Sequence, residues 1–215
     1  MKHFINPELA AANAMTVAVD EAIVREFLPL AAGSPDDADY QVERPQWDSD
    51  IRWISARHEA SFAHFQSAFD RLGVAAHVRP FLDLEREVRL YAGFVVVRSE
   101  CRAAHFHVDW EKTNNEAFTL LTPITANAAG FGLVYRTVKG TVADYDYTPG
   151  EAIIFGDHFS HSTRPGASPD PVALLCFNFG TDKMAHWDKI YRTTGYQTAF
   201  LRQPDGRFHR RGDDG

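Results

Sequence analysis

The stretch VRLYAGFVVVRSECRAAHFHVDW, residues 88–110, decides the fold. Its first part, VRLYAGFVVVRSE, is dense in β-branched and aromatic residues, as a strand buried among other strands requires. Its end, AHFHVDW (104–110), alternates polar and apolar residues. On a strand, residues i and i+2 share a face. That reading puts His105, His107 and Asp109 on one side and Phe106, Val108 and Trp110 on the other, toward a hydrophobic layer. Imidazoles and a carboxylate on one face either bind a metal or fill a polar pocket.

Downstream the strand-like pattern continues. AFTLLTPI (117–124), GFGLVYRTV (130–138), TVADYDY (141–147), EAIIFG (151–156), FSHSTRP (159–165) and PVALLCFNFG (171–180) are separated by the turn signals NAAG, VKG and TPGE. Short strands at this spacing predict a sandwich or jelly roll, not βαβ units. Upstream the period is helical. Asn6 and Pro7 suit an N-cap and a first helical position, and residues 7–33 are expected to be helix, with Pro29 and Gly33 closing it. A polar loop follows over 33–50. Residues 55–73 place Phe62, Phe65, Phe69 and Leu72 at helical spacing, and a short helix is expected over 76–84. The expected organisation is one domain over 1–215: a mainly helical flank (1–85), a β core (86–180) and a mixed C-terminal segment (181–215).

Composition narrows the function classes. Of 215 residues, 45% are hydrophobic and 24% charged, so a packed core is expected. The net charge of −7 argues against nucleic acid or an anionic membrane as partner. The basic cluster RFHRR (207–211) reads as a solvated end. No apolar run has the length of a membrane span. Cys101 and Cys176 form no disulfide framework, and a cytoplasmic location with free thiols is the expectation. HEASFAH (58–64) spaces its histidines too far apart for the zinc motif HExxH.

His107 and Asp109 need at least one further ligand, and GEAIIFGDHFSHSTRPG offers His158 and His161. His161 is preferred because it begins the strand that would return to the metal; His105 sits one step early. Two imidazoles and one carboxylate with open positions suit Fe(II) oxygen chemistry. The absence of thiolate ligands argues against structural zinc. The structural alternative is a set of strand histidines satisfied by hydrogen bonds, with Asp109 capping a turn before EKTNN.

With these residues in place, the chain resembles the Fe(II)/2-oxoglutarate-dependent oxygenases, whose core is the double-stranded β-helix, a cupin-like jelly roll. The likeness covers roughly residues 86–180. HVD (107–109) matches the family's HxD and His161 its distal histidine. FVVVRSECRAAHFHVD is similar to the approach to HxD in prolyl and aspartyl/asparaginyl hydroxylases. GEAIIFGDHFSHS is similar to the segment leading to the distal histidine there and in phytanoyl-CoA hydroxylase relatives. The resemblance implies catalysis at Fe(II) held by His107, Asp109 and His161, with O2 and 2-oxoglutarate as co-substrates and succinate as co-product. It implies hydroxylation or desaturation of a small molecule, since halogenating relatives replace the aspartate by a small residue.

One position departs from the family pattern. Where many relatives carry an Arg or Lys for the far carboxylate of 2-oxoglutarate, this chain has Pro171. A buried carboxylate needs a cation, best a bidentate arginine. Arg98, on the strand leading to HxD, is the first candidate, followed by Arg164 and Arg136. Pro171 also keeps open a cupin-type dioxygenase or isomerase that does not use 2-oxoglutarate, and a non-catalytic binding protein on the same fold. Substrate identity and oligomeric state are not legible in the sequence.

Overall fold

The computed structural model describes residues 6–32, 38–46, 48 and 50–212. In chain order the elements are α1 (Pro7–Ala11), β1 (Ala14–Ala18), α2 (Glu21–Arg25), α3 (Leu28–Ala32), β2 (Tyr40–Glu43), β3 (Arg52–Ala56), α4 (Glu59–Arg71) and α5 (Ala75–Val78). Then follow β4 (Arg89–Cys101), β5 (Ala117–Pro123), β6 (Leu133–Arg136), β7 (Val142–Tyr145), β8 (Glu151–Phe155), β9 (His161–Thr163) and β10 (Gly166–Gly180). The chain closes with α6 (Trp187–Gln197), β11 (Phe200–Arg202) and β12 (Phe208–Arg210).

Seven strands form a major sheet in the order β1-β8-β5-β10-β4-β3-β2, and three form a minor sheet, β7-β6-β9. All pairings in these two sheets are antiparallel. The fold is mainly β with flanking helices, built on a double-stranded β-helix core. Alternation along the strands separates two interiors. On one face of the major sheet, Val95, Val97, Leu120, Ile154, Leu175 and Phe177 pack under helices. Phe62, Phe65 and Phe69 of α4 cover them, an amphipathic stripe at the expected spacing. The other face carries Phe94, Leu121, Ile153, Phe155 and Cys176 toward Leu133 and Tyr135 of the minor sheet. Gly93 is needed for the first packing: a Cβ there would lie 2.5 Å from the Phe65 Cβ.

Three expectations are corrected. Residues 7–33 are not one helix. Asn6 caps α1 through its side chain, but the helix stops before Asn13, whose φ of 66° is left-handed. β1 then pairs with β8 from Ala14↔Phe155 to Ala18↔Glu151. The exposed edge of β8 offers backbone hydrogen bonds that outweigh the helix preference of an Ala-rich segment. The polar loop over 33–50 likewise contains β2, and β3 follows it, so residues 1–85 contribute three strands to the major sheet. Lastly, AHFHVDW is not a strand. His107 makes a single antiparallel bridge to His161, and the rest is irregular. Trp110 is fully buried, whereas Phe106 and Val108 are only partly covered.

Cys101 and Cys176 are free and buried. His58 caps α4 by accepting from the Ser61 N–H, and His64 shares a 2.9 Å hydrogen bond with the Tyr40 hydroxyl. The HEASFAH histidines therefore have structural roles. Among the described residues no helix is long and apolar enough to cross a membrane.

Candidate metal centre and its two cavities

His107 and His161 are brought together by their bridge, with N···O distances of 3.0 and 2.9 Å in the two directions. Their rings lie 4.5 Å apart, centroid to centroid. Asp109 follows His107 by two residues, and its Oδ1 is 3.6 Å from His107 Nε2. The ligand atoms of His107, Asp109 and His161 all lie within 4.8 Å of one another, a spacing one ion can bridge.

Each ligand is oriented by a second hydrogen bond. His107 Nδ1 lies 3.0 Å from the His105 carbonyl and His161 Nδ1 3.0 Å from the Phe159 carbonyl. A carbonyl only accepts, so each Nδ1 carries the proton and each Nε2 lone pair is free for a metal. Burial pushes His161 below its ordinary pKa; Asp109 pulls the other way and His107 adds to burial. The imidazole is thereby kept in its ligand form. Asp109 Oδ2 accepts from Thr119 Oγ1 at 2.8 Å, and Thr119 Oγ1 accepts from the buried Trp110 Nε1 at 3.0 Å. Thr193 on α6 donates to the Asp109 carbonyl. Two imidazoles and one carboxylate, so oriented, fit a divalent metal with open coordination positions.

Two cavities meet at this cluster. The inner one, of about 120 Å³, runs between the sheets and is lined by Arg98, Thr119, Tyr147, Thr163 and Cys176 as well as the three clustered residues. The outer one, of about 410 Å³, opens under α6 and shares His105, His107, Asp109, Trp53 and Gln197 with the inner.

The candidate cations separate clearly. Arg98 is buried and lines the inner cavity. It stands opposite Val172, so its neighbour across the strand pair is Pro171's own neighbour. Its Nη1 donates to Thr163 Oγ1 at 3.0 Å, its Nε and Nη2 to the Glu100 carbonyl, and its Nη2 pairs with Asp48 at 2.9 Å. Arg164 pairs with Asp146 at 2.7 Å and lines neither cavity. Arg136 lies over the Phe106 ring at 4.5 Å and also lines neither. His158 is exposed in a left-handed turn (φ 66°), and His105 lines both cavities without joining the cluster.

Several site residues escaped the sequence. Thr119, the hinge of the hydrogen-bond network, is one inward position of a seven-residue strand. Asn178 lies 3.2 Å from Thr119 and donates to Gln197 at 2.6 Å. Thr193 and Gln197 share one face of α6 at i, i+4, the signal that could have flagged them.

No family model and no curated protein sequence matches the chain. Solved structures match its fold. The α-ketoglutarate-dependent epimerase SnoN from nogalamycin biosynthesis superposes with a TM-score of 0.61 at 10% identity, over 82% of this chain and 81% of that one. HygX from Streptomyces hygroscopicus, solved with nickel, 2-oxoglutarate and hygromycin B, gives 0.59 at 12% identity, over 86% and 90%. A prolyl-4-hydroxylase from Pseudomonas putida gives 0.55 at 16% identity, over 81% and 96%.

Proposed function

We propose that this chain is a non-haem Fe(II)/2-oxoglutarate-dependent oxygenase acting on a small molecule. The observation that carries the reading is the convergence of His107, Asp109 and His161 at the junction of two cavities, one of which holds a buried arginine. Iron in this site would supply O2 activation coupled to oxidation of 2-oxoglutarate to succinate. The fold's occurrence in an epimerase described as α-ketoglutarate-dependent and in a protein solved with 2-oxoglutarate bound supports the choice of co-substrate.

The protein's own part is positioning. The two Nδ1–H···O=C bonds hold the imidazoles, and Thr119 holds Asp109 Oδ2, so that Oδ1 would be the atom left to hold a metal. Arg98 and Thr163, which line the inner cavity, would receive the second carboxylate of 2-oxoglutarate. Tyr147 joins them: burial pushes its phenol well above the ordinary range, so it stays a neutral donor. The cation lost at Pro171 is thus transposed to the adjacent strand. The outer cavity takes the substrate. With Asp109 present, hydroxylation is the assigned outcome, checked by a mass gain of one oxygen in the product.

A second reading, a metalloenzyme without 2-oxoglutarate, is favoured by one observation: Arg98 already has a counter-ion in Asp48. Anaerobic titration of the metal-free protein with Fe(II) and then 2-oxoglutarate separates the two. A weak visible charge-transfer band in the parent, absent from His107→Ala, is the expected result. Metal binding without a band would select the second reading. No metal binding at all would remove both.

A further inference from the structure

The outer cavity has a chemistry unlike that of the whole chain. The protein carries a net charge of −7, yet among the described residues the one carboxylate lining this cavity is Asp109. Both Asp109 oxygens are engaged, one by Thr119 and the other beside His107. Arg192 and His105 line the same cavity, and neither side chain has a partner among the described residues. Arg98 and Arg164, by contrast, each hold an aspartate. An uncompensated guanidinium over a cavity without a free carboxylate attracts an anion, and its planar fork matches a carboxylate.

The cavity also has an aromatic lining. Trp53 and Tyr196 pack edge to face, 5.6 Å between centroids and 70° between planes. Trp53 is buried, whereas Tyr196 is 52% exposed, and both line the cavity. Arg192 and Tyr196 are one helical turn apart on α6, so the cation and the ring address one occupant. At about 410 Å³ the cavity has the volume of a small-molecule site.

We infer that the substrate is a planar, apolar ring bearing an anionic group, an arylalkyl carboxylate in the simplest case. Its ring rests on Tyr196 and Trp53 and its carboxylate on Arg192. The assignment rests on the reading of the triad as the reacting end of the cavity, but its test needs neither iron nor 2-oxoglutarate. Isothermal titration of the full chain with 3-phenylpropionate and indole-3-acetate, each against its amide, reads the charge term directly. The acids should bind at least about tenfold tighter than the amides, as expected for a charge-assisted pair. Arg192→Gln should reduce the acids to the level of the amides at unchanged melting temperature. Tyr196→Ala should weaken acid and amide alike. Equal affinity of acid and amide, binding by neither, or a preference that survives Arg192→Gln would overturn the inference. A failed iron titration would leave this result standing, and the converse holds.

Discussion

The two faces of the major sheet are made by the same strands and do opposite work. Val95 and Val97 of β4 face the helices, while Phe94, Val96 and Arg98 face the cavity. Leu175 and Phe177 of β10 face the helices, while Leu174 and Cys176 face the cavity. The helix side is a dry apolar layer. The cavity side buries Arg98, Thr119, His161 and Asn178, each with a polar partner. Stability should therefore reside on one face and binding on the other, since apolar burial stabilises by area while buried polar groups mainly avoid a loss.

The largest effect should come from breaking the helix side. Phe65 is fully buried and packs against Phe27 and Tyr40. Phe65→Ala should cost about 3–5 kcal/mol in urea unfolding, through lost transfer energy and a cavity. The fraction that remains folded should bind metal as the parent does. A variant with parental stability, or with altered metal affinity in the folded state, would contradict the division of labour.

Arg98→Gln probes the cavity side. It should weaken 2-oxoglutarate by about 10- to 100-fold, the range of a lost charge-assisted hydrogen bond. The metal affinity should be unchanged, because Arg98 is not one of the three clustered residues. Titration of the charge-transfer band gives both constants. If 2-oxoglutarate affinity were unmoved, Arg98 would be only the structural partner of Asp48.

How much of this contrast was legible differs by region. The strands from 88 to 180 were readable because β-branched and aromatic runs bounded by turn residues are a local property. That His107, Asp109 and His161 would come together was readable as a short pattern of unusual residues, and the structure does cluster them. β1 was not. AMTVA follows an Ala-rich helical turn, and only the free edge of β8, far along the chain, makes it a strand. AHFHVDW failed in the other direction. Its alternation is unbroken, but no neighbouring strand extends beyond the one bridge at His161, so pattern without a partner gives no ladder. The α6 face over the outer cavity was illegible because its meaning depends on what it covers.

Thr119→Val sharpens the comparison at a single position between the faces. Valine keeps the shape and the strand preference but removes the hydroxyl. Asp109 loses the donor that orients it, and the buried Trp110 Nε1 loses its acceptor. Metal affinity should fall by about 10-fold, the lower range for outer-shell partners. Thr119→Ser, which restores the hydroxyl, should recover it in the same calorimetric titration. Equal loss in both variants would mean that the methyl, not the hydrogen bond, matters.

The smallest effect belongs to Arg164, which the sequence offered beside Arg98 as a cation for 2-oxoglutarate. Arg98 lies within β4 and lines the inner cavity, whereas Arg164 directly follows β9, lines neither cavity and turns to Asp146 at 2.7 Å and Asp144 at 3.8 Å. Those carboxylates are about two-thirds exposed, at 67% and 63%, so water competes for the pair. An exposed pair contributes about 0–1 kcal/mol. Arg164→Ala should therefore change the urea midpoint little and leave the 2-oxoglutarate band where it was. The comparison with Arg98→Gln is decisive because the two changes remove the same charge. If only the inward arginine matters, the cavity selects its co-substrate by a fixed, desolvated contact. If both variants weakened 2-oxoglutarate equally, a long-range field would be doing the selecting, and salt would abolish it over a Debye length of about 8–10 Å.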